Sequence, residues 1–594
     1  MPDAGLINRS DRSEERAAIV FLILCHIGLT LSIFIAGSTP QADSYEFSIL
    51  LAYPPYLWIL ILYSLFCSFA SLAITYGKSK LWIVSLLSSM LVMTLLFILP
   101  ILRGYFYFGG SDSLYHLSSI RDMVQDGHFG PTDYYGLYPL LHILGADIHL
   151  ATGLEGNFLT LPILFAFYII FVLSLLTLSR YLNIGRRGQI VILILALMPL
   201  LGKEMLNFAP FAKAIMLLPL AILAYIRKGE MTSDGKKFSI LLITFAVALI
   251  LYHILAAALF IIIVISFDII QFTERRILPK LNIQLVGKGV PIKRSYPYVV
   301  LIAFISAIWV PNSAIFRDIR QIIFDIFNSG ASAEGTTQMM SLLEVAKLDD
   351  ILSIGLTTYG AFAALLLLTS LLFARYVILP MMRKESIERI HWQLAAITAL
   401  LLVLTVASVL IIPSFGTRPL SAAVIFLALL TGALIPRMLV NREKVFVSCI
   451  IIIILGSILL LGLYPTPLNK SANWQITETK VTGIVWVAEN TPGAPYIYNN
   501  DGDYDRASRF IGGIRVYYTH MIPDHFDFSQ DAGDKWNSSI VVLTDQTLDF
   551  YPTQYPGYRE HWRYDQNDIQ RFQASRDVAT IYSSNGFYVY NHMQ

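Results

Sequence analysis

The segment LWIVSLLSSMLVMTLLFILPIL at 81–102, followed directly by RGYFYFGGSDSLYHLSSIRDMVQDG at 103–127, decides the fold. The first part carries no charge and has the length, about 20 mainly apolar residues, that a helix needs to cross a bilayer. The second part is polar, and its apolar residues Leu117, Ile120 and Val124 recur at helical spacing. We therefore predict a spanning helix that leads into a helix lying at the membrane surface.

Apolar runs of this kind recur along the whole chain. Its composition is 56% hydrophobic and 14% charged, and its mean hydropathy is +0.61. These values predict a polytopic α-helical membrane protein for which the bilayer is the main solvent. We predict about thirteen spans, near residues 17–37, 49–76, 81–102, 158–179, 188–201, 208–226, 238–253, 254–272, 296–312, 351–374, 391–412, 419–436 and 445–464. The stretch 238–272 is divided at Tyr252 and His253, because one helix of that length would far exceed the thickness of the bilayer.

The distribution of Lys and Arg predicts the orientation, since cytoplasmic loops are enriched in both. With the N-terminus inside, the cytoplasmic segments hold 25 such residues and the outer loops before residue 465 hold seven. A shift of one span would invert this pattern. We therefore expect a multi-pass protein of the cell membrane with a cytoplasmic N-terminus and an extracytoplasmic C-terminal domain. We expect no nucleic-acid partner.

Two domains are predicted. Residues 1–464 form the transmembrane domain, with long outer loops at 103–157 and 313–350. A second surface helix is predicted at 137–152, and another at 313–328. From residue 465 to 594 the composition becomes polar and aromatic, and a small extracytoplasmic α/β domain is predicted. Its expected elements are one helix near 481–488, strands in PYIYNN and SSIVVLTD, and a hairpin in VATIYSSNGFYVYNH.

The first outer loop contains the leading candidate for chemistry. Asp112 begins the surface helix just outside the third span, where a carboxylate is partly desolvated and accessible from water and membrane. A purely structural explanation, N-capping of the helix, is also open. His116 and Asp122 lie on the polar side of the same helix.

Two further outer loops carry isolated charges. GKEMLNFAP at 202–210 places Lys203 and Glu204 between two spans, where charges are costly unless they are paired or functional. Arg418 is the only basic residue of its outer loop, and its planar fork suits a phosphate. A mutual salt bridge, or anchoring at the membrane interface, explains these charges equally well.

Other patterns are weaker. His116, His142, His149 and His253 fall in outer segments, but without the tight spacing of a metal site, so packing is the expected role. NNDGDYDRAS at 499–508 resembles the start of a calcium loop. Because Arg506 stands where such a loop needs glycine, we predict an ordinary polar turn.

The order of these parts resembles the GT-C superfamily of membrane glycosyltransferases. The likeness lies in the first long outer loop with its acidic residue and two surface helices, the acidic second loop, the later outer loop and the C-terminal domain. SDSLYHLSSIRDMVQDGHF followed by YGLYPLLHIL looks like the first loop of prokaryotic, particularly archaeal, members. Two additional spans precede this loop here, and the chain lacks the WWDYG-type run of oligosaccharyltransferases.

The resemblance implies an inverting hexosyl or pentosyl transfer from a polyprenyl-phosphate-linked sugar to an acceptor on a glycan, lipid or protein at the outer face. Asp112 would be the general base. Lys203 and Arg418 would bind the donor phosphate. Glu204, His116, His253 and Asp122 would orient these groups or hold the acceptor. The cofactor is unknown, and a divalent cation, Mg²⁺ or Mn²⁺, bridging Asp112 and phosphate stays open.

Two other classes of function compete with this hypothesis. A flippase or transporter for a lipid-linked substrate commonly shows internal repeats and ionisable residues near the middle of the bilayer. Here nearly all charges lie at the ends of the predicted spans. A non-catalytic scaffold would not require Asp112, Lys203 or Arg418.

Overall fold

The computed structural model describes residues 9–109, 111–128, 138–228, 233–290, 296–309, 347–411, 418–437, 456–491, 496–499, 504–512, 519–520, 522–527 and 539–592. Before residue 438 the main helices are α1 Arg9–Ser38, α2 Pro55–Thr75, α3 Leu81–Leu102, α4 Ser111–Asp126, α5 Pro139–Thr152, α6 Gly156–Tyr181, α7 Arg186–Leu197, α8 Pro210–Arg227, α9 Ser233–Tyr252, α10 Ile254–Arg276, α11 Tyr296–Trp309, α12 Leu348–Phe373, α13 Arg389–Ile411 and α14 Arg418–Leu434. Within the described residues, nine helices are long and apolar enough to cross a membrane, so the chain is a multi-pass membrane protein.

Each predicted span contains a helix in the part of the chain that the structure describes. Residues 456–461, in the last predicted span, are also helical. The predicted break between α9 and α10 is confirmed, since His253 is extended and its Nδ1 accepts a hydrogen bond from the Leu255 N–H at 3.2 Å. The two helices predicted within residues 103–157 are present as α4 and α5. The helix predicted at 313–328 lies outside the described residues, and α12 begins at Leu348, within the last residues of the predicted loop 313–350.

Two predicted spans are not single helices. In the span 49–76, Tyr53 and Pro54 are extended and separate a short helix at Ile49–Ala52 from α2. At 188–201, α7 has 12 residues and is therefore only about 18 Å long, against a hydrocarbon core of about 30 Å. Met198 is extended with ψ 158°, because the residue before Pro199 is sterically driven out of the helical region. The chain continues without α-helix to a 3₁₀ turn at Gly202–Met205. The expectation of an uninterrupted helix was wrong, and the break brings Lys203 and Glu204 to a short, constrained loop.

Close packing of α7 against α14 holds this region together. A Cβ atom on Gly188 would lie 2.1 Å from the carbonyl oxygen of Gly432. We expect Gly188→Ala to separate the two helices and to destabilise the protein by about 1–3 kcal/mol. The measurement is the melting temperature of the protein in detergent. Gly355→Ala in α12, where no atom lies within 4 Å of the added Cβ, is the control. Equal melting temperatures for the two variants would contradict this packing argument.

The C-terminal region is the small α/β unit that the sequence predicts. Its helices are α15 Glu478–Asn490, α16 Tyr504–Gly512, α17 Asp545–Gln554 and α18 Gln566–Gln573. Of the nine strands of the described chain, β5 Tyr496–Tyr498, β6 Thr519–His520, β7 Ser539–Thr544, β8 Val578–Ser584 and β9 Phe587–His592 form one sheet in the order β6-β5-β7-β9-β8. The first three strands run parallel, and the predicted hairpin β8–β9 is antiparallel. Two further sheets each consist of two strands of two residues. In one, β1 Tyr107–Phe108 pairs with β4 Gln475–Ile476, and in the other, β2 Leu285–Val286 pairs with β3 Ile387–Glu388.

The C-terminal unit is joined to the first outer loop. Strand β1, which precedes α4, pairs antiparallel with β4. The buried Asn473 side chain donates to the carbonyl oxygen of Glu46 at 2.8 Å. Helix α16 packs against α4. These contacts place α16 beside the N-terminal turn of α4, where Asp112 lies.

Candidate functional site

The first turn of α4 holds Asp112 and is fixed to the loop that precedes α8. The Ser113 hydroxyl donates to Oδ1 of Asn207 at 2.6 Å and accepts from the Phe208 N–H at 3.0 Å. Asp112, the neighbour of Ser113, keeps 43% of its side chain exposed. The position of its carboxylate is therefore determined by a hydrogen-bonded loop, while the carboxylate itself remains accessible.

Three more charged side chains lie in this loop and in the first turn of α8. Lys203 is exposed and Glu204 is partly buried, both in the 3₁₀ turn. Lys213, in the first turn of α8, is fully buried, and its Nζ donates to the carbonyl oxygen of Asn207 at 3.1 Å. With Asp112 and Arg418 these side chains form what we call the charged cluster: Asp112, Lys203, Glu204, Lys213 and Arg418.

The other four members of the charged cluster all act electrostatically on Glu204. Burial raises the pKa of Glu204, because a desolvated carboxylate is less stable. The charges of Lys203, Arg418 and Lys213 oppose this rise, and the charge of Asp112 adds to it. Three cations and one further carboxylate thus influence Glu204, and the excess of positive charge around it favours an anion.

An aromatic wall lies beside Arg418, the first residue of α14. The Arg418 guanidinium carbon is 5.6 Å from the centroid of the Phe211 ring, within the range of a cation–π interaction. Phe211 also contacts the His253 ring, at 5.2 Å between centroids. Tyr138 stacks on the His253 ring, at 4.4 Å between centroids and 13° between planes. His253 thus both caps α10 and forms part of this wall.

A buried histidine pair lies behind Asp112. Nδ1 of His116 in α4 and Nε2 of His142 in α5 are 2.9 Å apart, so one ring donates a hydrogen bond to the other. Both residues are 1% exposed. Burial lowers the pKa of His116 well below its ordinary value, and the charges of His142, His253 and Arg506 lower it further.

We expect this histidine pair to make the stability of the protein depend on pH. Because the folded-state pKa of His116 is lowered, the unfolded chain binds an additional proton below about pH 6.5, and stability falls as the pH decreases further. The limiting slope for one proton is about 1.4 kcal/mol per pH unit. Melting temperatures of wild type and His116→Gln between pH 7.5 and 5.0 measure the effect. Parallel curves for the two proteins would contradict it.

An apolar pocket opens beside the charged cluster. It has a volume of about 110 Å³, and Lys203 and Glu204 form part of its lining. The other walls come from α12, α14 and residues 458–462 and are mainly apolar, with Phe362, Val424 and Leu459 among them. The pocket therefore combines two charged side chains with mainly apolar walls contributed by membrane helices.

The C-terminal unit places a further cation, Arg506, against a member of the charged cluster. Nη1 of Arg506 in α16 is 3.3 Å from Oδ1 of Asp112. Asp122, which the sequence predicts as an orienting residue, is instead in ion pairs with Arg121 at 2.8 Å and Arg509 at 3.3 Å. It lies ten residues after Asp112, or about 15 Å along α4. The structure thus brings Asp112, Lys203, Glu204, Arg418, His116 and His253 together and leaves Asp122 at the contact with α16.

The donor atoms do not by themselves form a metal site. Within the described ranges, no group of three or more His, Cys, Asp or Glu side chains is placed to hold an ion. His116 and His142 bond to each other, and His149 instead lies near Glu155, with Nδ1 and Oε1 3.8 Å apart.

Three polar contributors were not among the predicted site residues. Lys213 had a signal in the sequence, since a lysine inside an apolar span is costly and usually functional. Asn207 and Arg506 had none. Asparagine is common in loops, so Asn207 gives no signal by itself. Arg506 lies in a segment for which the sequence predicts an ordinary polar turn.

No protein-family model matches the chain, and no curated protein matches it. Among solved structures, the chain is similar to ArnT from Cupriavidus metallidurans bound to undecaprenyl phosphate, with 12% sequence identity and a TM-score of 0.46 over 86% of this chain and 98% of that chain. The same protein in the apo state matches with 11% identity and a TM-score of 0.44, over 86% of this chain and 97% of that chain.

Proposed function

We propose that this protein is a GT-C-type membrane glycosyltransferase that moves a hexosyl or pentosyl group from a polyprenyl-phosphate-linked donor to an acceptor hydroxyl at the predicted outer face. One observation carries the proposal. The charges of Asp112, Lys203, Lys213 and Arg418 all act on Glu204, and Glu204 and Lys203 line an apolar pocket. A base, phosphate-binding cations and a space for a lipid are the three things that this reaction requires.

The proposed reaction is a single displacement. The acceptor hydroxyl gives its proton to the Asp112 carboxylate while its oxygen forms a bond to the anomeric carbon of the sugar. The bond between that carbon and the phosphate oxygen breaks, and its electron pair remains on the phosphate. The products are the new glycoside, with inverted configuration, and the polyprenyl phosphate.

The cations of the charged cluster act on the leaving group. Negative charge grows on the phosphate as the bond breaks, and Lys203 and Arg418 stabilise that charge. Lys213 is buried behind them and donates to the carbonyl of Asn207, so it holds the loop and adds to the positive potential. Glu204 orients the lysines. His253, stacked on Tyr138, forms part of the wall along which the acceptor lies.

If the enzyme uses a divalent cation, Asp112 would hold it, and the ion would help to neutralise the charge of the phosphate. Asp112 is partly exposed and supplies an oxygen ligand of the type that Mg²⁺ and Mn²⁺ prefer. The proposed displacement itself uses only residues of this chain. Sensitivity of transfer to EDTA, reversed by added Mg²⁺ or Mn²⁺, would establish the ion as part of the enzyme.

The experiment that tests the function is transfer of radiolabelled sugar by the purified full-length protein in detergent. A panel of polyprenyl-phosphate hexoses and pentoses is offered together with membrane glycolipids, glycans and peptides as acceptors, with and without EDTA. We expect labelled product from at least one donor. Movement of donor across proteoliposome membranes without any transfer would indicate a flippase and not an enzyme. The absence of both transfer and movement would favour a scaffold.

A further inference from the structure

Helix α16 of the C-terminal unit is held against α4 by specific contacts. Nη1 of Arg121 donates to the carbonyl oxygen of Phe510 at 2.6 Å. Nη2 of Arg509 donates to Oδ2 of Asp122 at 3.3 Å, and the guanidinium carbon of Arg509 is 4.5 Å from the centroid of the Tyr115 ring. These contacts fix both the distance between the two helices and their relative rotation.

The fixed rotation directs a second arginine toward the charged cluster. Arg506 precedes Arg509 by three residues, so the two side chains lie on the same face of α16. While Arg509 contacts Asp122, Arg506 reaches Asp112 at 3.3 Å. The pair is accessible to water, because 35% of the Arg506 side chain and 43% of the Asp112 side chain are exposed. Partly exposed ion pairs of this kind open at little cost.

This ion pair conflicts with the proposed role of Asp112. While the pair is closed, Oδ1 of Asp112 contacts Arg506 and not an acceptor hydroxyl. A hydroxyl that gives its proton to this oxygen must take the place of the Arg506 guanidinium. The pair must therefore open for transfer, and on opening Arg506 loses this anionic partner. An acceptor that brings its own anion would replace the partner and keep the local charge balanced.

We propose that the acceptor is an acidic sugar, with a carboxylate or a phosphate next to the attacking hydroxyl, and that Arg506 binds this anionic group. The inference rests on the proposed function and names the class of its acceptor. The guanidinium fork suits both anions. The anion itself is not consumed. Only the neighbouring hydroxyl loses a proton, to Asp112, and forms the new bond.

The test uses three probes with the same ring: methyl glucoside, methyl glucuronide and methyl glucoside 6-phosphate. Their binding to the full-length protein is measured by calorimetry, and they are also offered as acceptors for transfer. We expect both acidic probes, or one of them, to bind about 10- to 100-fold more tightly than the neutral probe, the range for hydrogen bonds to a charged group. The two acidic arms distinguish carboxylate from phosphate.

Variants assign this preference to one residue. Arg506→Gln is expected to remove it and leave binding of the neutral probe unchanged, while Arg506→Lys keeps part of it. Arg576→Gln, an exposed arginine of the same unit, is the control and should retain it in full. No preference for either acidic probe in wild type, or equal gains in transfer to all acceptors by Arg506→Gln, would overturn the inference. If no donor supports transfer, the proposed function fails, and the binding measurements still decide the role of Arg506.

Discussion

Asp112→Asn is expected to lower the turnover of sugar transfer by about 10²–10⁴-fold, the range for loss of a general base. Asparagine has nearly the same shape and does not accept a proton at neutral pH, so the attacking hydroxyl would keep its proton. Donor binding should be almost unchanged, because the phosphate is held by Lys203 and Arg418. Turnover and donor dissociation constants of the purified proteins measure the two effects separately.

A control on the same helix separates chemistry from folding. Asp126→Asn changes an exposed carboxylate at the other end of α4 and should leave turnover within twofold of wild type. Turnover of Asp112→Asn close to that of Asp126→Asn would show that Asp112 is not the base. Asp112 would then have only a structural role, in which its carboxylate stabilises the N-terminus of α4.

Arg418→Gln is expected to lower the rate of transfer by about 10²–10³-fold, comparable to removal of one group that stabilises transition-state charge. Its guanidinium lies at the start of α14 beside Phe211, and its charge acts on Glu204 together with the charges of Lys203 and Lys213. Arg418→Lys keeps the charge and loses the fork, so an intermediate rate is expected. Rates at saturating and at limiting donor concentration separate phosphate binding from transition-state stabilisation.

The matched control is Arg383→Gln, an exposed arginine on the side predicted to be cytoplasmic. It should leave the rate unchanged. If Arg418→Gln falls no further than this control, or if Arg418→Lys is as slow as Arg418→Gln and both are unfolded, phosphate binding by Arg418 is not supported. Melting temperatures of all three variants decide between loss of folding and loss of chemistry.

The helices could be predicted because the bilayer imposes a strong, local requirement on the sequence. A length of about 20 apolar residues is visible without any knowledge of the fold. The break at His253 was predictable for the same reason, since one helix over 238–272 would be too long. The interruption after α7 was less visible, because Met198 and Pro199 lie within an apolar run and only the steric effect of proline ends the helix.

The candidate site was predictable in part. Lys203, Glu204 and Arg418 are conspicuous because charges are scarce near the spans, and each could be selected from its own segment. Contacts between distant segments have no such local signal. The hydrogen bond from Arg121 to Phe510, for example, joins residues 389 positions apart. For the same reason Arg506 was not predicted at Asp112, and the pairing of Asp122 with Arg509 was not foreseen.

The most direct test of the central claim is the configuration of the transferred sugar in a single turnover. Donor of defined anomeric configuration is mixed with an excess of purified protein and acceptor, and the product is analysed by the NMR coupling of its anomeric proton. A direct displacement assisted by Asp112 predicts a glycoside with inverted configuration from wild type and none on the same time scale from Asp112→Asn. Product with retained configuration, or equal product from both proteins, would contradict this account.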